Sequence, residues 1–239
     1  MLKVRKIVDL SHTLTADTPV YPGDPVPSFS VATTIGKEGY NLFEVVLGSQ
    51  TGSHVDAPYH FSDEGTTIEK MALEFFMGNG LIIDVTDKKA KEEITLEEIR
   101  NYEKAVEKAD IVLFKTNWYK KAGIDEFYDH PFLSKAGGEY LLSKGIKTAG
   151  IDAINLDNTG GTEFPIHDMY SAAGGIIAEN LANLDSVDFA SPFIIFLPLA
   201  ISIIGMVRRI NRYHKDELVE SQRDYPWQPT PEFRQEKFL

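Results

Sequence analysis

Within the eleven residues 50–60 the chain places Gln50, His54, Asp56 and His60, with Gly52 and Pro58 between them. Glycine and proline discourage a continuous helix, so the segment reads as extended chain interrupted by bends. Alternate side chains of an extended segment share a face, and all six of these residues carry even numbers. Thr51, Ser53, Val55, Ala57 and Tyr59 then face the other way, into packing or hydrogen bonding. His54 and Asp56 stand two positions apart, roughly 6–7 Å along a strand, so their side chains can converge on one ion. Gln50 and His60 lie too far along a straight strand to join them. The segment must bend, and Gly52 and Pro58 are where it can.

With no cysteine in the chain, disulfides, thiolate zinc sites and cysteine nucleophiles are excluded. Any metal site must be built from His, Asp, Glu and amide or water oxygens. The 239 residues, 43% hydrophobic and 25% charged, suit one sizeable soluble domain. A formal charge of −12 argues against nucleic acid or an anionic membrane as partner, since both want a basic face. The first ten residues hold charges but no apolar core of a signal peptide, which predicts a cytoplasmic protein. The most apolar run, 193–206, contains Pro198 and Gly205 and is too short to span a bilayer; it predicts a buried strand pair.

Residues 6–12 read as a strand and 13–27 as a loop set by Pro19, Pro22, Gly23, Pro25 and Pro27. Tyr21 in that loop either walls a pocket or sits in an ordinary surface turn. Residues 29–34 and 41–47 read as two strands, 68–76 as a helix ended at Gly78 and Gly80, and 81–85 as a strand. A capping box at Thr95 and Glu98 opens a helix over 95–109, followed by a strand at 111–114, a helix at 135–144 and a strand at 147–152. Residues 165–173 read as a short helix broken at Gly174 and Gly175, with a strand returning at 176–179. This β-α-β rhythm predicts an α/β layer. One domain is expected over 1–210, with a charged tail, 211–239, packing on the domain or on a partner subunit.

The opening segment resembles the signature His-x-Gly-Thr-His-x-Asp-x-Pro-x-His of the metal-dependent cyclase/hydrolase family, which includes bacterial kynurenine formamidases and isatin hydrolases. Gly52, His54, Asp56, Pro58 and His60 match it; Ser53 replaces the threonine and Gln50 the first histidine. Stretches at 8–12, 18–25, 129–134, 144–152, 164–167 and 179–181 are similar to that family in the same order, so the resemblance covers about residues 6–205. Near the end the family commonly has a small-residue turn, where this chain reads Ile204, Gly205, Met206, Val207, Arg208, Arg209.

The resemblance implies a single α/β domain of the swivelling β/β/α type, a homodimer or homotetramer, and one or two divalent ions per subunit, zinc or manganese. By position, His54 and Asp56 are metal ligands and Gln50 takes the place of a third. His167 and Glu179 match the ligands of a second ion, which Asp56 can bridge. On one straight helix those two residues would stand roughly 18 Å apart, so the turn at Gly174 and Gly175 is required. His60 matches the catalytic acid/base, with an extra metal ligand as the rival role. Tyr21 and Phe61 are the candidates for an aryl pocket, although scattered aromatics are more often core.

A divalent cation lowers the pKa of its bound water to about 7, and a neighbouring histidine can move the protons. The activity that the resemblance implies is hydrolysis of a C–N bond in a small aromatic amide, with formylkynurenine the leading named substrate. The alternative is a metal-containing small-molecule binding protein that has lost catalysis through Gln50, whose amide oxygen is a weaker donor than imidazole. Gln50 either ligates the ion or hydrogen-bonds a water on it. Asp152 and Asp157 can support the site from behind, but loop carboxylates are common and neither is assigned a role. His12, His130 and His214 are read as structural or surface residues.

Overall fold

The computed structural model of the chain describes residues 4–199 together with the strand residues 206–207. The tail 211–239 lies outside them. The strands are β1 Ser28–Thr33, β2 Leu42–Val46, β3 His54–Asp56, β4 Met77–Asp84, β5 Glu93–Ile94, β6 Ile111–Lys115, β7 Phe132–Leu133, β8 Thr148–Ile151, β9 Ile176–Glu179, β10 Phe193–Ile195, β11 Pro198–Leu199 and β12 Met206–Val207. The helices are α1 Ile35–Glu38, α2 Leu96–Arg100, α3 Glu103–Val106, α4 Lys135–Ser143 and α5 Pro165–Ala172. Six strands form the central sheet in the order β10-β4-β6-β8-β9-β3. Neighbours from β4 to β9 run parallel, and the two edge strands β10 and β3 are antiparallel to theirs. This is the α/β domain that the rhythm predicts.

Both faces of this sheet are covered, which explains why its strands read as continuous apolar runs rather than alternating ones. On one face Val112, Phe114, Ala149, Ile151 and Ile177 pack against Ile99, Leu141, Ile166 and Tyr170 of the helices. On the other, Ile111, Leu113, Ile176, Ala178 and Val55 pack with Ile68, Phe76 and Ile194. The alternation places the site. Val55 belongs to the second face, so His54 and Asp56 turn to the helical one, and Glu179 shares that side with Ile177. Helix α5, carrying His167, lies over the same side.

Several expectations are corrected. Residues 6–12 form no strand, because their backbone is claimed piecemeal: the Asn183 amide donates to Asp9 O, the Ala182 N–H to Leu10 O, and the His12 N–H donates to Ser53 Oγ. The segment 68–76 is two 3-10 turns, Ile68–Lys70 and Leu73–Phe76. Gly78 and Gly80 do not end an element; they lie inside β4, where a Cβ would stand 2.5 Å from Asp110 Cβ or 2.2 Å from Ile194 Cδ1. The capping box forms at Thr95 and Glu98, but the helix it opens stops at Arg100 and a second turn begins at Glu103. In β10 only Ile194 is buried, whereas Phe193 and Ile195 are exposed, so the first half of the expected buried pair is an edge strand with one buried side chain, and residues 200–205 of the second half lie outside the described residues.

Candidate metal centre

The antiparallel pairing of β3 with β9 sets His54 directly opposite Glu179. Gly52, with φ 70, makes the bend before the strand, and Pro58 opens the 3-10 turn Pro58–His60 after it. That turn folds His60 back until its Nε2 stands 3.9 Å from Asp56 Oδ1. Two-residue alternation then keeps His54 and Asp56 together. Local chain thus brings three of the groups to one place, and sheet pairing brings the fourth.

Helix α5 delivers His167. Asp56 and Glu179 each lie between His54 and His167. Asp56 has Oδ1 at 3.7 Å from His54 Nε2 and Oδ2 at 3.6 Å from His167 Nε2. Glu179 has Oε2 at 3.8 Å from His54 Nε2 and Oε1 at 3.4 Å from His167 Nε2. Most of these separations are too long for hydrogen bonds. They are close to what two ligands of one ion require, roughly 3.3 Å for tetrahedral zinc with nitrogen and oxygen donors. His54 Nδ1 bonds Gly52 O at 2.8 Å, which leaves Nε2 as the inward-facing nitrogen. Asp56 Oδ2 is buried with no hydrogen-bond partner. The donor set therefore fits a divalent ion in two overlapping positions, one among His54, Asp56 and Glu179 and one among Asp56, His60 and His167.

The electrostatics express the same demand for positive charge. Burial alone would lower the histidines, but Asp56 and Glu179 outweigh it and push His54 up to about 9. Burial also opposes protonation of His167, yet Glu179, Asp157 and Asp56 carry it to about 10. Burial raises Glu179 to about 7, helped by the Asp56 charge. Asp56 is held well below the usual carboxylate range against burial, by His54, His167 and His60. His60, only partly buried, is the exception: burial outweighs the attraction of Asp56 and lowers it.

Residues 8–158 match the Cyclase family. The chain belongs to that family. It is 31% identical over 203 residues to a kynurenine formamidase of Bacillus cereus, covering 84% of this chain and 93% of that one. The isatin hydrolase A of Labrenzia aggregata superposes with a TM-score of 0.77 at 24% identity, over 84% of this chain and 91% of its own. A potential metal-dependent hydrolase with cyclase activity matches at 26% identity and a TM-score of 0.71, over 85% and 95% of the two chains.

In this member of the Cyclase family the structure brings together five of the residues singled out from the sequence: His54, Asp56, His60, His167 and Glu179. Gln50 is beside them, with its amide Nε2 3.3 Å from Asp56 Oδ1 and its Oε1 accepting from Ser49 Oγ. As oriented, Gln50 donates to the carboxylate and turns its oxygen away. Phe61 packs on His167 at 4.5 Å between ring centroids and on His60 at 4.9 Å. Tyr21 is linked to the cluster through Phe164, whose ring centroid lies 6.3 Å from Tyr21 and 5.5 Å from Phe61. His130 is buried between Pro131 O and Thr159 Oγ1, and burial lowers it to about 4. His12 packs its ring edgewise on Tyr119. His214 lies outside the described residues.

Sequence reasoning missed Phe164 and passed over Asp157. Asp157 is buried and accepts from the N–H groups of Ile166 and His167, both at 3.0 Å, and its Oδ2 lies 2.7 Å from His167 Nδ1. One signal was available: α5 begins at Pro165 behind Phe164, which cannot cap it, so its first N–H groups need an acceptor from elsewhere.

Proposed function

We propose that this chain is a divalent-metal-dependent hydrolase that cleaves the C–N bond of a small aromatic amide, with a formylated arylamine such as formylkynurenine as the leading substrate class. The observation that carries the reading is the pair of buried carboxylates, Asp56 and Glu179, each presenting one oxygen to His54 and the other to His167. The named activities of the kynurenine formamidase and isatin hydrolase relatives support the choice of an amide.

His54, Asp56, His167 and Glu179 would hold the ion, zinc or manganese, in one or two positions, and His60, although within reach of the second position, is left as the acid/base. A divalent ion bound there supplies a more acidic water and polarises a carbonyl. His60 stands at the edge of the cluster, half-buried, with its pKa lowered by burial, so it is neutral near pH 7 and free to accept a proton. It takes the proton from the attacking water and returns it to the leaving nitrogen. Phe61 and Phe164, with Tyr21 behind them, form an apolar wall beside His60 on which an aryl ring stacks. Gln50 acts through its hydrogen bond to Asp56 in the orientation observed, and an amide flip would offer its oxygen to the ion.

The working unit is a homodimer or homotetramer. The β1–β2 hairpin supports this, because Phe29, Val31, Phe43 and Val45 pair across its strands on one face and are all exposed, Phe43 at 57%. An apolar sheet face of that kind marks an interaction site. We assign residues 1–210 to the hydrolase domain and the protein to the cytoplasm. No helix among the described residues is long and apolar enough to cross a membrane.

Metal-replete protein assayed against N-formyl arylamines, lactams and aryl esters tests the activity. His60→Ala should abolish turnover while zinc content measured by elemental analysis persists. Tight ligand binding with zero turnover across the panel would reject hydrolysis in favour of a metal-containing binding protein.

A further inference from the structure

Residues 155–157 form a loop that meets the metal centre at Glu179 and His167. Asn155 Oδ1 accepts from the Asp157 N–H at 2.7 Å, which closes the loop on itself. The Leu156 N–H donates to Glu179 Oε1 at 2.6 Å. Two residues further on, Thr159 is tied to buried His130, and the Leu133 N–H donates to Leu156 O at 2.9 Å. The loop is thus anchored to the core on both sides.

Asp157 spends both carboxylate oxygens on α5. Oδ1 takes the Ile166 N–H, while Oδ2 takes the His167 N–H and faces the imidazole Nδ1. A carboxylate at Nδ1 keeps a proton on that nitrogen. The ring plane is fixed at the same time, because one oxygen holds both the backbone and the side chain of His167. Nε2 is then aimed between Asp56 Oδ2 and Glu179 Oε1, at 3.6 and 3.4 Å.

We propose that Asp157 is the positioning residue of the metal centre: through the 155–157 loop it sets the rotamer and Nδ1-protonated form of His167, in register with the Glu179 oxygen that Leu156 holds. The inference rests on the metal-dependent reading above. Carboxylates behind ligand histidines orient them and raise their basicity, and losing one typically weakens metal binding about 10–100-fold. A mere helix cap would instead change stability alone.

Asp157→Asn and Asp157→Ala separate the two roles. Asparagine can still accept at Nδ1 through its oxygen but has no charge and turns an NH2 toward the Ile166 N–H; alanine removes every contact. Zinc affinity measured by competition with a chromophoric chelator should fall about 10-fold in the first and up to about 100-fold in the second. The visible spectrum of the cobalt-loaded protein should change in both. In the metal-free protein, NMR should show a downfield, exchange-protected Nδ1–H of His167 that moves upfield in Asp157→Asn and vanishes in Asp157→Ala. Zinc affinity within twofold of wild type and an unchanged cobalt spectrum in Asp157→Asn, with only the melting temperature lowered, would overturn the proposal. Should Asp157→Ala fail to fold, Asp157→Asn alone decides. Wild-type protein that binds neither zinc nor cobalt would reject the metal-dependent reading instead, and the NMR resonance would still report whether Asp157 sets the His167 ring.

Discussion

Replacing Gly150 by alanine should damage the metal centre without touching any residue in it. Gly150 lies on β8 opposite Ala178 of β9, one residue before Glu179. A Cβ there would stand 2.6 Å from Ala178 O, 2.9 Å from Ala178 Cβ and 2.9 Å from Leu113 Cδ2. Relief to an ordinary contact of 3.4 Å requires the carbonyl to retreat by the difference, 0.8 Å, and 0.4 Å is needed to reach even a tight 3.0 Å. The obstacle is backbone in a strand paired on both sides, so it can move only by shifting β9. Overpacking of this kind costs about 1–3 kcal/mol. At about 2–4 °C per kcal/mol for a chain of this size, the melting temperature should fall by roughly 2–12 °C. Glu179 rides on the displaced strand, and misplacement approaching 1 Å can cost on the order of 100-fold in rate. Thermal unfolding and turnover on the same preparation measure both effects, and zinc competition reports the displaced ligand. A Gly150→Ala protein that melts within 1 °C of wild type and binds zinc equally well would refute the argument that backbone contact between β8 and β9 sets the position of Glu179.

Four further outcomes follow from the same geometry. In metal-free protein His54 and His167 titrate near 9 and 10, above their unfolded value, so their contribution to stability is present below about pH 6.5 and is lost as pH rises through 9 to 10. Chelator-treated protein should therefore melt lower at pH 9.5 than at pH 6.5, zinc should remove most of that difference, and a flat profile without metal would contradict it. Gln50→His should replace a donor to Asp56 by a ligand and raise zinc affinity, read by the same competition; unchanged affinity and occupancy would mean that position 50 stays off the ion. Phe164→Ala should raise KM for aryl formamides at least several-fold while leaving a small aliphatic formamide unaffected, and equal effects on both would remove the ring-stacking role. If the β1–β2 hairpin face is the proposed subunit interface, Phe43→Glu should yield a smaller particle than wild type by light scattering, and an unchanged mass would exclude that face from any interface.

The sequence by itself determined the local half of the centre. Parity, one glycine and one proline are enough to place His54, Asp56 and His60 together, because a strand of period two and a turn are short-range geometry. The α/β class was legible for a similar reason, as apolar runs at 111–114, 147–152 and 176–179 alternate with helical segments. Short-range reasoning failed where long-range contact chose the outcome. Gly78 and Gly80 read as punctuation but serve close approach inside β4, and residues 6–12 carry strand-like residues whose backbone partners are scattered side chains and single amides. Only the tertiary structure decided that β3 pairs antiparallel with β9, setting Glu179 against His54, and that α5 crosses the same face with His167. It alone brought Asp157 under α5, since no local pattern says which distant carboxylate will satisfy the first N–H groups of a helix that lacks its own cap.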